Sequence, residues 1–254
     1  MITPVAVLIG VVGAMVGSFL NVVIHRVPRG ESVVTPPSRC PHCGRRLGVF
    51  ENVPIVGWIA VGGRCRTCNA PVSLRYPFVE AATALLFLLH YAVFGLEPLF
   101  FVRIVFACLM LVLFYIDLDH QLLPNVLTLP GLVFGLTASL FVAPGWRDAV
   151  IGALFGGGIL LALFYAWLWL RREEALGMGD VKMLAMIGAF LGWRLTLVTL
   201  VLSSLVGSVV GLALIASGRG GMKTQLPYGT FLALAAIAAS VAGDALVAWY
   251  TGLY

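Results

Sequence analysis

Four of the five cysteines are grouped as two C-x-x-C pairs, Cys40 with Cys43 and Cys65 with Cys68, separated by 21 residues. Two such pairs are typical of a zinc ribbon, although this separation is slightly longer than usual. Each pair can present two thiolates to one metal ion, and four thiolates complete a tetrahedron without an open position. The spacing therefore predicts a structural zinc site. Two redox-active or free-thiol pairs remain the alternative interpretation.

Acidic residues at the ends of apolar segments form a second candidate site. Asp117 and Asp119 end one apolar run, and Asp180 precedes another. Two carboxylates that face each other cannot both ionise easily and share one proton, which is how aspartic peptidases activate water. Asp117 and Asp119 point to nearly opposite sides of a helix, and Asp117 adjoins the apolar run directly. We therefore predict Asp117 and Asp180 as the pair, against the alternative of ordinary acids capping two membrane spans.

Further candidate residues flank these acids in the sequence or lie near the start of another apolar run. Gly177 and Gly179 either allow an extended substrate strand to approach the backbone or form a flexible turn. Glu80 either binds a cationic group of a substrate, such as an amine, or pairs with Arg75 or Lys182. Lys182 either stabilises the neighbouring aspartate or binds lipid headgroups. These assignments predict substrate-binding roles for Gly177, Gly179, Glu80 and Lys182.

The elements that position these residues must be membrane helices. Of 254 residues, 61% are hydrophobic and 11% are charged, against about 45–50% and 25% in soluble domains. This composition excludes a soluble enzyme, a disordered chain and a secreted disulfide scaffold. We predict an all-α polytopic membrane protein with about eight transmembrane helices and a small zinc-ribbon-like cytoplasmic loop. The predicted spans are 4–24, 77–95, 99–116, 126–143, 149–170, 183–193, 195–216 and 229–250.

Basic residues set the predicted orientation. Thirteen of the 16 lysine and arginine residues fall in alternate loops, at 25–76, 117–125, 171–182 and 217–228. The positive-inside rule makes these loops cytoplasmic and both termini external. The net charge of +5 is thus explained by membrane topology rather than by nucleic-acid binding. The predicted organisation is a first helix at 1–24, a zinc-binding loop at 25–76 and a membrane core at 77–254, with both acids at the cytoplasmic rim.

Several motifs together resemble one family of membrane proteases, and the similarity runs almost from end to end. They are Gly17 to Pro28, the four cysteines, Glu51 to Ile55, Arg75 to Glu80, Asp117 to Asn125, and Gly177-Met178-Gly179-Asp180-Val181-Lys182. In this combination the chain resembles the type IV prepilin peptidases of the GxGD membrane aspartyl protease class. In that family the first catalytic aspartate stands seven residues before the proline of its motif, which corresponds to Asp117 here, seven residues before Pro124. The second is the aspartate of GxGD, which corresponds to Asp180.

The resemblance implies an activity, a location and partners. The family members are bifunctional enzymes of the bacterial inner membrane. They cleave the short basic leader of a prepilin or type II secretion pseudopilin at the cytoplasmic face. They then methylate the new N-terminal amine with S-adenosylmethionine. The loop 25–76 resembles the bifunctional form, since peptidase-only relatives lack much of it. The sequence contains no recognisable S-adenosylmethionine motif and does not indicate the oligomeric state. Alternatives are a peptidase-only enzyme, a zinc-stabilised membrane transporter and a scaffold without chemistry.

Overall fold

The computed structural model describes residues 3–171, 177–218, 221 and 226–252. Within these ranges the chain is helical and has no strand, apart from two isolated β-bridges beside the cysteine pairs. The prediction of an all-α protein with a small cysteine-containing loop is therefore confirmed. The chain divides into two compact units, Met1–Leu96 and Glu97–Tyr254. The boundaries at residues 24 and 76 that the sequence suggested stay predictions.

The first unit is built on two long helices that pack closely. Its helices are α1 (Pro4–Arg26), the short α2 (Val56–Ala60) and α3 (Arg75–Phe94), with 3-10 turns at Val27–Arg29 and Phe50–Asn52. Small residues on α1 let α3 approach: a Cβ atom at Gly13 would lie 2.8 Å from the Ala84 Cα, and one at Gly17 would lie 2.7 Å from the Glu80 Cα. The close contact at Gly17 fixes the backbone of Glu80 against α1.

The second unit is a helical bundle around an apolar core. Its helices are α4 (Pro98–His120), α5 (Asn125–Ala138), α6 (Trp146–Arg171), α7 (Met178–Ala216) and α8 (Tyr228–Thr251). Phe106 on α4 and Phe190 on α7 are at most 1% exposed, and their ring centroids lie 5.0 Å apart. A Cβ atom at Gly156 on α6 would lie 2.5 Å from the Leu184 carbonyl oxygen on α7, so this glycine permits close helix packing. The core thereby holds the ends of α4, α7 and α8 in fixed positions.

Within the described ranges, six helices are long and apolar enough to cross a bilayer: α1, α3, α4, α6, α7 and α8. The sequence predicted about eight spans, and the difference has two causes. Helix α5 has 14 residues, whereas a span needs about 20. The predicted spans 183–193 and 195–216 both fall within α7, in which two helical segments meet at a kink. The apolar segments were thus located correctly. The predicted span 126–143 corresponds to a helix shorter than a full span, and the predicted spans 183–193 and 195–216 are joined within α7.

Helix α7 is interrupted at Gly192, which has φ 74° and ψ 169°. A φ of this sign suits glycine because it has no Cβ atom. A side chain here would also approach Pro144, since the added Cβ would lie 3.0 Å from the Pro144 Cβ. The interruption falls at the junction that the sequence suggested between the sixth and seventh spans. The two segments are therefore joined directly, without a loop.

The membrane orientation depends partly on residues that the structure does not describe. Arg172, Arg219 and Lys223 contribute to the positive-inside argument and lie outside the described ranges. The cytoplasmic side of each helix end stays a prediction.

Candidate active site and cysteine cluster

Each C-x-x-C pair folds into the same tight turn. In both pairs the N–H of the first cysteine, Cys40 or Cys65, donates to the carbonyl five residues later at 2.9 Å. The residue after each pair has a positive φ, 69° at Gly44 and 59° at Asn69. Glycine and asparagine adopt this conformation most readily. The local sequence therefore dictates two equivalent turns that can present their sulfur atoms to a common centre.

The four sulfur atoms of the two turns converge. All four Sγ atoms lie within 4.8 Å of one another. The Cys40–Cys68 and Cys43–Cys65 distances are 3.7 Å and 3.9 Å. A tetrahedral zinc ion with Zn–S bonds of about 2.3 Å separates its sulfur ligands by about 3.8 Å. The donor set and its spacing therefore fit zinc, as the sequence predicted. Cys108 lies on α4 and does not belong to this cluster.

The turns favour the thiolate forms of Cys40 and Cys65, whereas, against the lowering effect of the Ala70 N–H, burial and the neighbouring sulfur atoms raise the pKa of Cys68 to about 11. Backbone N–H groups of Cys43 and His42 donate to the Cys40 sulfur and lower the pKa of Cys40. The equivalent backbone groups of the second pair, that of Cys68 first, lower the pKa of Cys65 to about 6. Metal binding is easier for thiols that ionise near neutral pH. His42 contributes its backbone here, and its imidazole is not part of the cluster.

A carboxylate connects the two cysteine turns. Glu51 accepts hydrogen bonds from both terminal nitrogens of Arg45, at 2.8 Å and 3.1 Å, and from the Gly48 N–H at 2.7 Å. The Arg66 guanidinium, inside the second pair, lies 3.7 Å from the same carboxylate. Arg45 and then the Gly48 N–H hold the pKa of Glu51 at about 2. A bidentate arginine pair of this kind fixes geometry as well as charge. Glu51 therefore braces the first turn against the second.

Asp117 lies near the C-terminal end of α4 and is 4% exposed. Thr230, in the first turn of α8, donates to Asp117 Oδ2 through its backbone N–H at 2.6 Å and its hydroxyl at 3.0 Å. Gly229 allows this approach, because a Cβ atom there would lie 3.0 Å from the Asp117 carboxylate. Two donors on one oxygen leave Oδ1 available for another partner. The loop-to-helix turn at α8 thus orients the Asp117 carboxylate.

Asp180 lies in the first turn of α7, is 9% exposed, and interacts electrostatically with Asp117. Leu123 connects the surroundings of the two acids. A Cβ atom at Gly179 would lie 2.9 Å from the Leu123 Cβ, and one at Gly229 would lie 3.0 Å from the Leu123 Cδ1. The structure therefore brings the ends of α4, α7 and α8 together around two buried carboxylates. Among the described residues neither carboxylate forms an ion pair with a lysine or arginine, and buried acids of this kind are rare unless they have a function.

The other residues predicted around these acids have distinct environments. Asp119 is exposed, whereas Asp117 is buried, which agrees with the choice made from the sequence. Lys182 donates to the Asn125 side chain at 2.9 Å, so it connects the N-terminal part of α7 to the first residue of α5. Gly177 is exposed, and a Cβ atom there would lie 3.4 Å from an Asp180 carboxylate oxygen.

Glu80 belongs to the first unit and is 7% exposed. Its Oε2 accepts a hydrogen bond from the Ile55 N–H at 2.7 Å. Ile55 has a φ of 63°, an uncommon conformation for a β-branched residue. This carboxylate therefore holds the chain before α2 in place.

Comparisons with known proteins place both sets of residues in one family. Residues 11–94 match the model of the bacterial peptidase A24 N-terminal domain, and residues 104–212 match that of the type IV leader peptidase family. Proteins named prepilin leader peptidase/N-methyltransferase are similar over most of the chain. That of Aeromonas hydrophila is 40% identical, covering 93% of this chain and 90% of the relative. The chain belongs to the type IV leader peptidase family. No solved structure matches it.

Two further relatives of this name agree with that assignment. The Pseudomonas aeruginosa protein is 37% identical, covering 94% of this chain and 90% of its own length. The Myxococcus xanthus protein is 44% identical over 87% of this chain, which spans 66% of that relative. The first family match contains all four cysteines and Glu80. The second contains Asp117 and Asp180 but ends before α8.

Sequence reasoning about this leader peptidase family member missed Leu123, Gly229 and Thr230. Each contributes to the surroundings of Asp117 through packing or hydrogen bonds that connect distant parts of the chain. One signal was present: a glycine and a threonine follow Pro227 at the start of the last predicted span. Polar residues at a span end on the same predicted side as the acids are candidates for the same site.

Proposed function

We propose that this protein is a prepilin leader peptidase that uses Asp117 and Asp180 as its catalytic pair. The observation that carries the proposal is the burial of both carboxylates among the ends of α4, α7 and α8. In the proposed reaction one carboxylate takes a proton from a water molecule, whose oxygen attacks the scissile carbonyl. The other gives a proton to the leaving nitrogen as the C–N bond breaks.

The proposed substrate is a prepilin or type II secretion pseudopilin cut at the cytoplasmic face of the inner membrane. The distribution of lysine and arginine supports this orientation, and the names of the relatives support the substrate class. Gly177 and Gly179 precede Asp180 on a partly exposed stretch of backbone. A substrate strand could approach such a stretch closely. We assign these glycines to substrate approach and Lys182 to holding the start of α7 through Asn125.

A second reaction, methylation of the new N-terminus, is supported by the names of the same relatives. S-adenosylmethionine, when bound, would supply the methyl group that the neutral amine accepts with loss of a proton. The four cysteines would hold zinc as a structural ion, because four thiolates leave no open coordination position. Zinc would supply rigidity to the loop rather than chemistry.

The experiment that tests the peptidase proposal is prepilin cleavage by the detergent-solubilised protein. Asp117→Asn and Asp180→Asn should each reduce cleavage to background, since asparagine keeps the size of the side chain but cannot exchange the required proton. Asp119→Asn is the matched control and should keep at least partial activity, because Asp119 is exposed. Normal cleavage by Asp117→Asn together with an inactive Asp119→Asn would reverse the assignment.

A further inference from the structure

The first unit encloses a cavity of about 330 Å³ between α1, the cysteine loop and α3. Pockets of roughly 300–1,000 Å³ are typical of small-molecule sites. Cys40 and Cys65 contribute to its wall, so the cavity and the cysteine cluster belong to one folded structure. Folding of the loop around zinc would therefore also form the cavity.

A buried carboxylate faces this cavity. Glu80 lines it and is 7% exposed. Among the described residues, the ion pairs join Glu51 to Arg45 and Arg66. Glu80 forms no ion pair with a described lysine or arginine. A carboxylate buried without a cation is costly. At Glu80 the cavity wall is therefore complementary to a positively charged group of a small molecule.

The walls also offer aromatic surfaces and a free acceptor. Trp58 lines the cavity, and its indole N–H donates to the Val72 carbonyl at 3.1 Å, which fixes the ring. Tyr76 lines it as well, and its carbonyl accepts from the Asn21 side-chain nitrogen at 3.1 Å. That bond uses one of the two N–H groups of the Asn21 side chain and leaves its side-chain oxygen as an acceptor. Aromatic faces suit a stacked nucleobase, and the Asn21 oxygen can accept from an amino group.

We propose that this cavity binds the methyl donor, S-adenosylmethionine. The assignment rests on the proposed methyltransferase function and gives it a site. The donor carries a sulfonium and an ammonium group, which match the charge of Glu80. Its adenine matches the aromatic residues Trp58 and Tyr76. All of these residues belong to the first unit, whereas the aspartates proposed for peptide cleavage belong to the second.

Equilibrium dialysis of labelled S-adenosylmethionine against the full-length, zinc-loaded protein in detergent tests this site directly. Glu80→Gln should weaken donor binding at least tenfold, because glutamine keeps the hydrogen-bonding shape but not the charge. Glu31→Gln changes an exposed acid of the same unit and should bind the donor within twofold of wild type. Prepilin cleavage by the Glu31→Gln control should remain within twofold of wild type. Unchanged donor binding by Glu80→Gln would overturn the proposal.

A second measurement on the wild-type protein does not depend on the folding of any variant. Ultraviolet cross-linking of the labelled donor followed by peptide mapping should place the label on a peptide containing Trp58 or Tyr76. Label confined to residues 97–254 would overturn the site.

Retained donor binding by Glu80→Gln with lost affinity for a pre-cleaved pilin would also overturn it and assign Glu80 to the substrate amine. If wild type binds no donor, both this site and methyl transfer are refuted, whereas leader cleavage is measured independently.

Discussion

Replacement of Thr230 by valine tests whether α8 orients the catalytic carboxylate. Valine keeps the shape of threonine but removes the hydroxyl that lies 3.0 Å from Asp117 Oδ2, while the backbone N–H at 2.6 Å remains. A hydrogen bond to a charged group contributes about 1.5–3 kcal/mol. If this contribution is needed at the transition state, kcat should fall by about 10-fold to 150-fold. Thr230→Ser, which keeps the hydroxyl, should cleave at nearly the wild-type rate.

The assay is the rate of prepilin cleavage at saturating substrate, with the melting temperature of each variant measured in the same detergent. Thr199→Val is the matched control, because Thr199 is also buried but its hydroxyl donates to the Leu195 carbonyl of its own helix at 2.8 Å. That control should change kcat by less than threefold. If Thr230→Val cleaves as fast as the control at an unchanged melting temperature, the hydroxyl does not contribute to catalysis and the reasoning fails.

Three further predictions concern the metal, its bracing and the order of the reactions. Metal analysis should find about one zinc per chain, which Cys40→Ser should reduce and Cys108→Ser should not; an active metal-free preparation would refute a structural role. Glu51→Gln should speed zinc release to a chelator at least threefold relative to Glu31→Gln, because Arg45 loses its ionic partner, and equal release rates would contradict the bracing. Folded Asp117→Asn enzyme should still methylate a pre-cleaved pilin, at a rate that rises as the amine loses its proton around pH 7.7–8.0; loss of labelled methyl incorporation would mean that the two activities share a site.

The helices were predictable because a bilayer demands long apolar segments, and such segments are visible in any single sequence. Their ends were less predictable, since hydropathy does not distinguish a loop from a local break. Gly192 illustrates this limit: the sequence suggested a junction there, and the structure shows that the two helical segments meet directly at this residue, which has a non-helical φ of 74°. Helix α5 is a similar case, because its apolar run continues beyond Ala138, where the helix ends.

Chemistry carried by spacing was predictable, whereas chemistry carried by tertiary contacts was not. The cysteine pairs are recognised from two short motifs, because each turn is local and the zinc geometry requires only that the turns meet. The bracing of these turns by Glu51 is a semi-local contact to Arg45 that no general motif encodes. The contact of Thr230 with Asp117 spans 113 residues and depends on the packing of α8. Contacts of this length follow from the fold and cannot be inferred from one sequence.

The glycines beside the two acids permit close packing of the helix ends, which is a different role from the one that the sequence suggested. The sequence suggested a flexible turn or a substrate approach at Gly177 and Gly179. Gly177 has φ −78°, which any residue adopts, and Gly179 lies within α7, so neither position requires the left-handed conformation that glycine favours. A Cβ atom at Gly179 would press against Leu123, and one at Gly229 would press against both Leu123 and the Asp117 carboxylate. The absence of side chains therefore lets the ends of three helices close around Asp117 and Asp180, which is a packing requirement that acts before any substrate arrives.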